Sequence, residues 1–118
     1  MAATELIEAA RFWAKLTKTD LPGGPHYPER IYYYYCVHLR LIPQPAFILD
    51  ISDFWEKKLA VLQCYRSQLI EGRAPGPPTL LDQLRDQAAT WGWSIGARYG
   101  EPFASREPLG LTTLAGIL

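Results

Sequence analysis

Proline and glycine decide what this chain can become, because they cut it into short pieces. "DLPGGPHYPE" at residues 20–29 holds three prolines and two glycines, "IPQP" interrupts residues 42–45, and "EGRAPGPP" fills residues 71–78. A helix or a central strand does not propagate through such runs. Only short elements fit between them, and they must pack on one another to hold.

Residues 4–18 predict a helix. Thr4, Glu8, Arg11, Lys15 and Lys18 recur at steps of four and three as one polar stripe, and Leu6, Ile7, Phe12, Trp13 and Leu16 fill a broad apolar arc. A helix this apolar expects neighbours on more than one side. Next comes "RIYYYYCVHLR", residues 30–40, with four consecutive tyrosines. Strand alternation divides them two and two. One face carries Ile31, Tyr33, Tyr35, Val37 and Leu39; the other carries Tyr32, Tyr34, Cys36, His38 and Arg40. The tyrosines therefore mark a strand with two aromatic faces and not a single sticky patch.

"AFILDI", 46–51, reads as a short buried strand ending at Asp50. Ser52 or Asp53 is placed to cap a following helix that runs to about Leu69, with Glu56 three residues after Asp53 as in a capping box. Trp55, Leu59 and Leu62 mark its buried side. Thr79 opens a third helix in which Leu81, Leu84, Ala88 and Trp91 step by three, four and three, and Gly92 ends or interrupts it. Beyond it, "IGARYGEPFASREPLGL" places glycine and proline too close for a long element, so Glu101 of "YGEPF" is expected in a rigid turn. "TTLAGIL" predicts a last helical turn. The fold class is α/β, thin in sheet: two strands with several apolar helices close a core poorly alone.

Composition narrows function. Twelve basic and twelve acidic residues cancel, with no basic stripe, which argues against nucleic acid as a partner. No apolar run is long enough to span a bilayer, and Glu5 and Glu8 interrupt any signal-peptide pattern. A soluble cytoplasmic protein is expected. Cys36 and Cys64 form no CxxC pair and read as two buried free thiols. Among the 118 residues, His26 and His38 are the only histidines. His26 lies in a proline-rich loop and reads as a surface residue; His38 shares the polar strand face with Arg40. A metal site built from His26, His38 and Asp50 has no supporting spacing, and capping accounts for Asp50 and Asp53. No phosphate-loop, dinucleotide or nucleophile-elbow motif occurs.

Several segments together resemble a known family. "PERIYYYYCVH", "PAFILDISDFWEKKLAVLQCYRSQL" and "GWSIGARYGEPFASREPLGL" are similar to the C-terminal half of the LmbE/PIG-L deacetylases, closest to the bacillithiol-biosynthesis type. "TELIEAARFWAKL" resembles the helix that follows that family's second metal motif. The resemblance covers essentially the whole chain, in order. It implies a zinc-dependent hydrolase that removes acetyl from an N-acetylglucosaminyl conjugate. In that family a Rossmann-like N-terminal half carries A-H-P-D-D and H-P-D-H motifs, a His, Asp, His set holds zinc, and an aspartate serves as general base. Neither motif is present here. The resemblance thus implies a single partial domain, residues 1–118, with no catalytic residue, no metal ligand and no zinc held by this chain alone. It assigns substrate contact to Arg30, Gln68 and Glu101, the last two as contact or as support for it. A guanidinium at position 30 suits sugar hydroxyls or an anionic substituent. Leu80 stands near a position where some members carry tyrosine, so no tyrosine-assisted step is expected. The family also implies a homo-oligomer, with this half supplying much of the contact. The competing expectation is a non-catalytic remnant that serves as an interaction or oligomerisation module.

Overall fold

The computed structural model describes residues 2–18, 20, 22–36, 43–73 and 76–115. The chain divides into two compact units, Met1–Ile31 and Tyr32–Leu118. Val37, His38, Leu39 and Arg40 of the tyrosine segment, and the end of "TTLAGIL", lie outside the described residues. Among the described residues, no helix is long and apolar enough to cross a membrane.

The first unit is helix α1, Ala2–Ala14, with its return loop. The helix stops short of the expected residue 18. Its end is tied by the loop: His26 N–H donates to the Ala14 carbonyl at 2.8 Å, satisfying one of the carbonyls a helix leaves open. Arg11 holds the loop from the other direction. Its Nε donates to Pro28 O at 2.9 Å and its Nη2 to Glu29 O at 2.6 Å. The guanidinium carbon also stands 4.5 Å from the Tyr27 ring centre. The polar residues Thr4, Glu8 and Arg11 are consequently half-buried. The apolar arc is open, with Leu6 70% and Trp13 59% exposed. His26 is exposed, as its loop position predicted.

The second unit is mixed α/β. Its elements are β1 (Tyr33–Tyr34), β2 (Phe47–Asp50), a 3-10 turn at Ser52–Phe54, α2 (Trp55–Cys64), α3 (Arg66–Leu69), α4 (Leu80–Ser94) and β3 (Gly100–Ala104). The strands form an antiparallel sheet in the order β1-β3-β2. Tyr33 pairs with Ala104 and Tyr34 with Phe103 on one side of β3; Phe47 pairs with Phe103 and Asp50 with Gly100 on the other. The alternation read from the tyrosine run holds where it is described. Tyr33 and Tyr35 are half-buried, while Tyr32, Tyr34 and Cys36 are exposed.

The turn expected around Glu101 is instead the central strand. A proline is tolerated there for a geometric reason. The carbonyls of Tyr99 and Phe103 accept from Ile51 N–H and Ala46 N–H, so the odd-numbered residues of this strand point their backbone groups toward β2. Pro102 therefore turns its nitrogen toward β1, just past the last β1 pair at Tyr34, where no N–H is required.

Other local expectations also shift. The Asp53/Glu56 capping box does not form, and α2 opens on Phe54 with no side-chain cap. Asp50 takes the capping part: its Oδ1 accepts from Ser52 N–H at 2.9 Å and Ser52 Oγ at 2.6 Å. The helix expected to reach Leu69 breaks at Tyr65 (φ −86°, ψ 50°) into α2 and α3. Trp55 is buried and Leu59 and Leu62 are half-buried, as their spacing predicted. Strand β2 is an edge strand and not a buried one, with Leu49 exposed. Both thiols are free but exposed and not buried: Cys64 closes a helix at its open face and Cys36 lies on the outward strand face.

Helix α4 begins as read. Thr79 Oγ1 accepts from Asp82 N–H at 3.1 Å, and Asp82 Oδ2 accepts from Thr79 N–H at 2.9 Å and Thr79 Oγ1 at 2.7 Å, a complete capping box. The helix passes through Gly92 to Ser94. Gly92 is where it meets the sheet. A Cβ on Gly92 would lie 2.6 Å from Tyr99 N, and one on Gly100 would lie 2.8 Å from Gly92 N. Helix and strand thus touch backbone to backbone, and the core of Ile51, Trp55, Ala88 and Tyr99 gathers beside that crossing.

Two outcomes follow from these contacts. Gly92→Ala is expected to destabilise the second unit by about 3 kcal/mol, because the methyl meets backbone that cannot rotate away; a denaturant titration reads this. The Thr79 hydroxyl, then the Thr79 N–H, hold the Asp82 carboxyl below its ordinary 3.8. A depressed folded value means that this contribution is full above the ordinary carboxylate range and is lost as pH falls through the folded value. Melting temperatures across pH should therefore show Thr79→Ala below the parent at neutral pH, with the gap closing in strong acid.

Candidate functional site

The two segments "DISDFW" and "YGEPF" meet at the base of the sheet. Ser52 Oγ, held by Asp50, accepts from Tyr99 N–H at 3.1 Å, and Ile51 N–H donates to Tyr99 O at 3.0 Å. Asp50, hydrogen-bonded first by the Ser52 hydroxyl and then by the Ser52 N–H, has its carboxyl held below the usual range. Above this clasp the Trp55 and Tyr99 rings stack, with centres 4.4 Å apart and planes 22° apart. The entry of α2 is thereby locked to the start of β3.

That lock sets where Lys58 and Glu101 project. Lys58 lies one turn after Trp55 on α2, and Glu101 two residues after Tyr99 on β3. Their side chains form an ion pair with Nζ 2.8 Å from Oε1, each about one-third exposed (35% and 31%). Two depressions share this pair as a wall. One is a cavity of about 70 Å³ between α2, α4 and β3, bordered also by Leu62, Leu84, Gln87 and Trp91. The other is an open groove of about 520 Å³ along Ile51, Phe54, Lys57 and Val61. Concave apolar surfaces with a few convergent polar groups are the usual setting for small-molecule binding.

The three residues singled out from the sequence fare differently. Glu101 stands at this junction, though on a strand and not in a turn. Gln68 lies on α3, away from both depressions; its backbone carbonyl accepts from Arg73 Nε at 3.1 Å and Nη2 at 2.7 Å. Arg30 belongs to the first unit and is exposed. Lys58 was missed. Its signal was present: it sits three residues after Trp55 and four before Leu62, a cation inside the buried stripe of α2. Among the described residues no three His, Cys, Asp or Glu side chains stand together as a metal would need.

No protein-family model matches the sequence. Among solved structures, the chain is similar to the conserved protein TT1542 from Thermus thermophilus, at 31% identity and a TM-score of 0.77. The match takes in 94% of this chain and 47% of that one, so the chain spans about half the length of the protein it resembles.

A double-mutant cycle on Lys58→Met and Glu101→Gln measures what the pair contributes. Half-exposed pairs are screened by solvent, so a coupling of about 0.5–1 kcal/mol is expected. A coupling near zero would mean that the two groups do not act together.

Proposed function

We propose that this chain is the C-terminal portion of a zinc-dependent hydrolase of the LmbE/PIG-L type, of the bacillithiol-biosynthesis branch, acting on an N-acetylglucosaminyl conjugate in the cytoplasm. The observation that carries this reading is the meeting of "DISDFWEKK" and "YGEPF", two of the segments most specific to the resemblance, at one Lys58–Glu101 pair beside a cavity. Similarity to a protein about twice as long supports only the part of this reading that makes the chain a portion of something longer.

On this reading a Rossmann-like parallel sheet, the zinc ligands and the general base belong to a preceding half. The described residues of this chain do not make a zinc site, and no step of the hydrolysis is routed through them. Their part is to bind and orient. Glu101, held by Lys58, offers a fixed carboxylate to substrate hydroxyls or supports a neighbour that does. Arg30 and Gln68 keep the substrate-binding roles assigned by resemblance. A homo-oligomer belongs to the same reading.

One observation favours a second reading, a non-catalytic interaction or oligomerisation module. The arc of Leu6, Ile7, Phe12 and Trp13 on α1 is exposed, and apolar surface of this kind marks interaction sites.

The test begins with the DNA directly upstream of the Met1 codon. An open frame through H-P-D-H and A-H-P-D-D is expected, and the extended protein should hold zinc and release acetate from the bacillithiol precursor. The 118-residue chain alone should release none. An in-frame stop before Met1, or an extended protein without acetate release, overturns the deacetylase reading. A cooperative melt of the chain alone, as a defined oligomer, would then favour the module.

A further inference from the structure

The sheet of the second unit is covered by α4 on one face. A Cβ on Gly100 would meet the Ile48 side chain and the backbone of Gly92 and Trp91, so α4 lies on the face of Ile48 and Gly100. Strand register puts Tyr34, Phe47, Leu49, Glu101 and Phe103 together on the other face. An antiparallel sheet that turns one face to water ordinarily carries polar residues there. This one carries rings. Phe47 stacks on Phe103 with centres 5.2 Å apart, and Tyr32 stands edge-on to Phe47 at 5.1 Å. Tyr34, the neighbour of Phe103 in the ladder, is 74% exposed.

Glu101 joins this face to a second apolar strip, because it also borders the open groove along α2. Phe54, Lys58, Val61 and Tyr65 recur at steps of four, three and four and so line up along one side of that helix. Six large apolar side chains are thereby open on one continuous surface: Tyr32, Tyr34, Leu49, Phe54, Val61 and Tyr65, each between 45% and 74% exposed. A side chain of this size presents roughly 200 Å² when free, so about 650 Å² of mostly apolar surface faces water. A single-copy protein ordinarily keeps such a patch below about 300–600 Å². A stable pairing of two proteins covers about 800 Å² on each, close to what this face offers.

Charge selects the occupant. Among the paired sheet positions Glu101 is the one charged residue on this face, and Lys58 closes it at 2.8 Å. Among the described residues, Lys57 is the one further charge on the groove wall. A nucleic acid or a strongly acidic or basic partner finds no charge array to complement. A near-neutral aromatic face is matched by another of the same kind, and a second copy brings one of equal extent. The rings suit this, since tyrosine and phenylalanine are enriched where proteins meet.

We infer that the helix-free face of the sheet, together with the outer side of α2, is a two-fold interface joining two copies of this chain. The inference deepens the reading above by naming the surface of its homo-oligomer; it rests on that reading for the oligomer and not for the hydrolysis. It assigns the pairing to the second unit and not to the arc of α1.

The experiment is sedimentation equilibrium of the 118-residue chain and of the frame-extended protein over a range of micromolar concentrations. A dimer of the chain is expected. Tyr34→Glu on the sheet and Val61→Glu on α2 each place an unpaired charge in the interface twice by symmetry. Each should raise the dimer Kd at least about a hundredfold. Both positions are exposed in a single copy, and thermal melts check that the variants fold. Leu6→Glu, on the α1 arc, should leave the dimer unchanged. A chain that sediments as one copy or only as aggregates overturns the inference, as does a dimer that either face variant leaves intact or that Leu6→Glu dissolves. Sensitivity to the face variants in the short chain but not in the frame-extended protein gives this face to the preceding half, and overturns the pairing. Acetate release is read separately. A dimer that behaves as expected in a frame-extended protein without acetate release keeps the interface and removes the deacetylase; acetate release from a protein whose assembly ignores both variants does the reverse.

Discussion

Everything in the second unit depends on the contact of two backbones, Gly92 in α4 against Tyr99 and Gly100 in β3. No side chain intervenes. Because helix and strand approach so closely, Ala88 is buried against the same junction and Tyr99 is pressed against Trp55. Tyr99 in turn fixes the Asp50–Ser52 turn through its N–H, and the turn fixes the first residues of α2. Lys58 and Glu101 face one another at the end of this sequence of contacts. The small core of Ile51, Trp55, Ala88 and Tyr99 gathers beside that one crossing.

What could be read in the sequence was what local chemistry decides. Thr79 announces a helix start, the Leu84, Ala88 and Trp91 steps announce its inner side, and "AFILD" announces a strand. What could not be read was decided by distant partners. "YGEPF" has poor intrinsic strand preference, with a glycine and a proline in five residues. It becomes the middle strand because β1 and β2 both pair with it and because a glycine lets α4 lie on it. The Asp53/Glu56 box looked sound locally, but Ser52, held by Asp50, is also bound to Tyr99, forty-seven residues along the chain. For the candidate site, the sequence reading singled out Glu101 but not Lys58, with which it pairs. Lys58 sat among charged neighbours in "EKK", where only its phase relative to Trp55 and Leu62 set it apart.

Helix α1 shows what a pattern leaves open. The polar stripe and the apolar arc were both legible, and both exist. Within the first unit, Arg11 gathers Tyr27, Pro28 and Glu29 over the polar stripe, through two carbonyl hydrogen bonds and a cation–π contact. The loop that follows α1 is thereby fastened to the side of the helix that carries the stripe.

Pro102 has a consequence beyond its own position. It offers no N–H opposite Tyr35, the position after the last β1 pair, and Tyr35 and Pro102 both line the cavity. The residue that leaves the ladder without a donor at that rung is thus also a piece of the wall of a recess that the helices close from above.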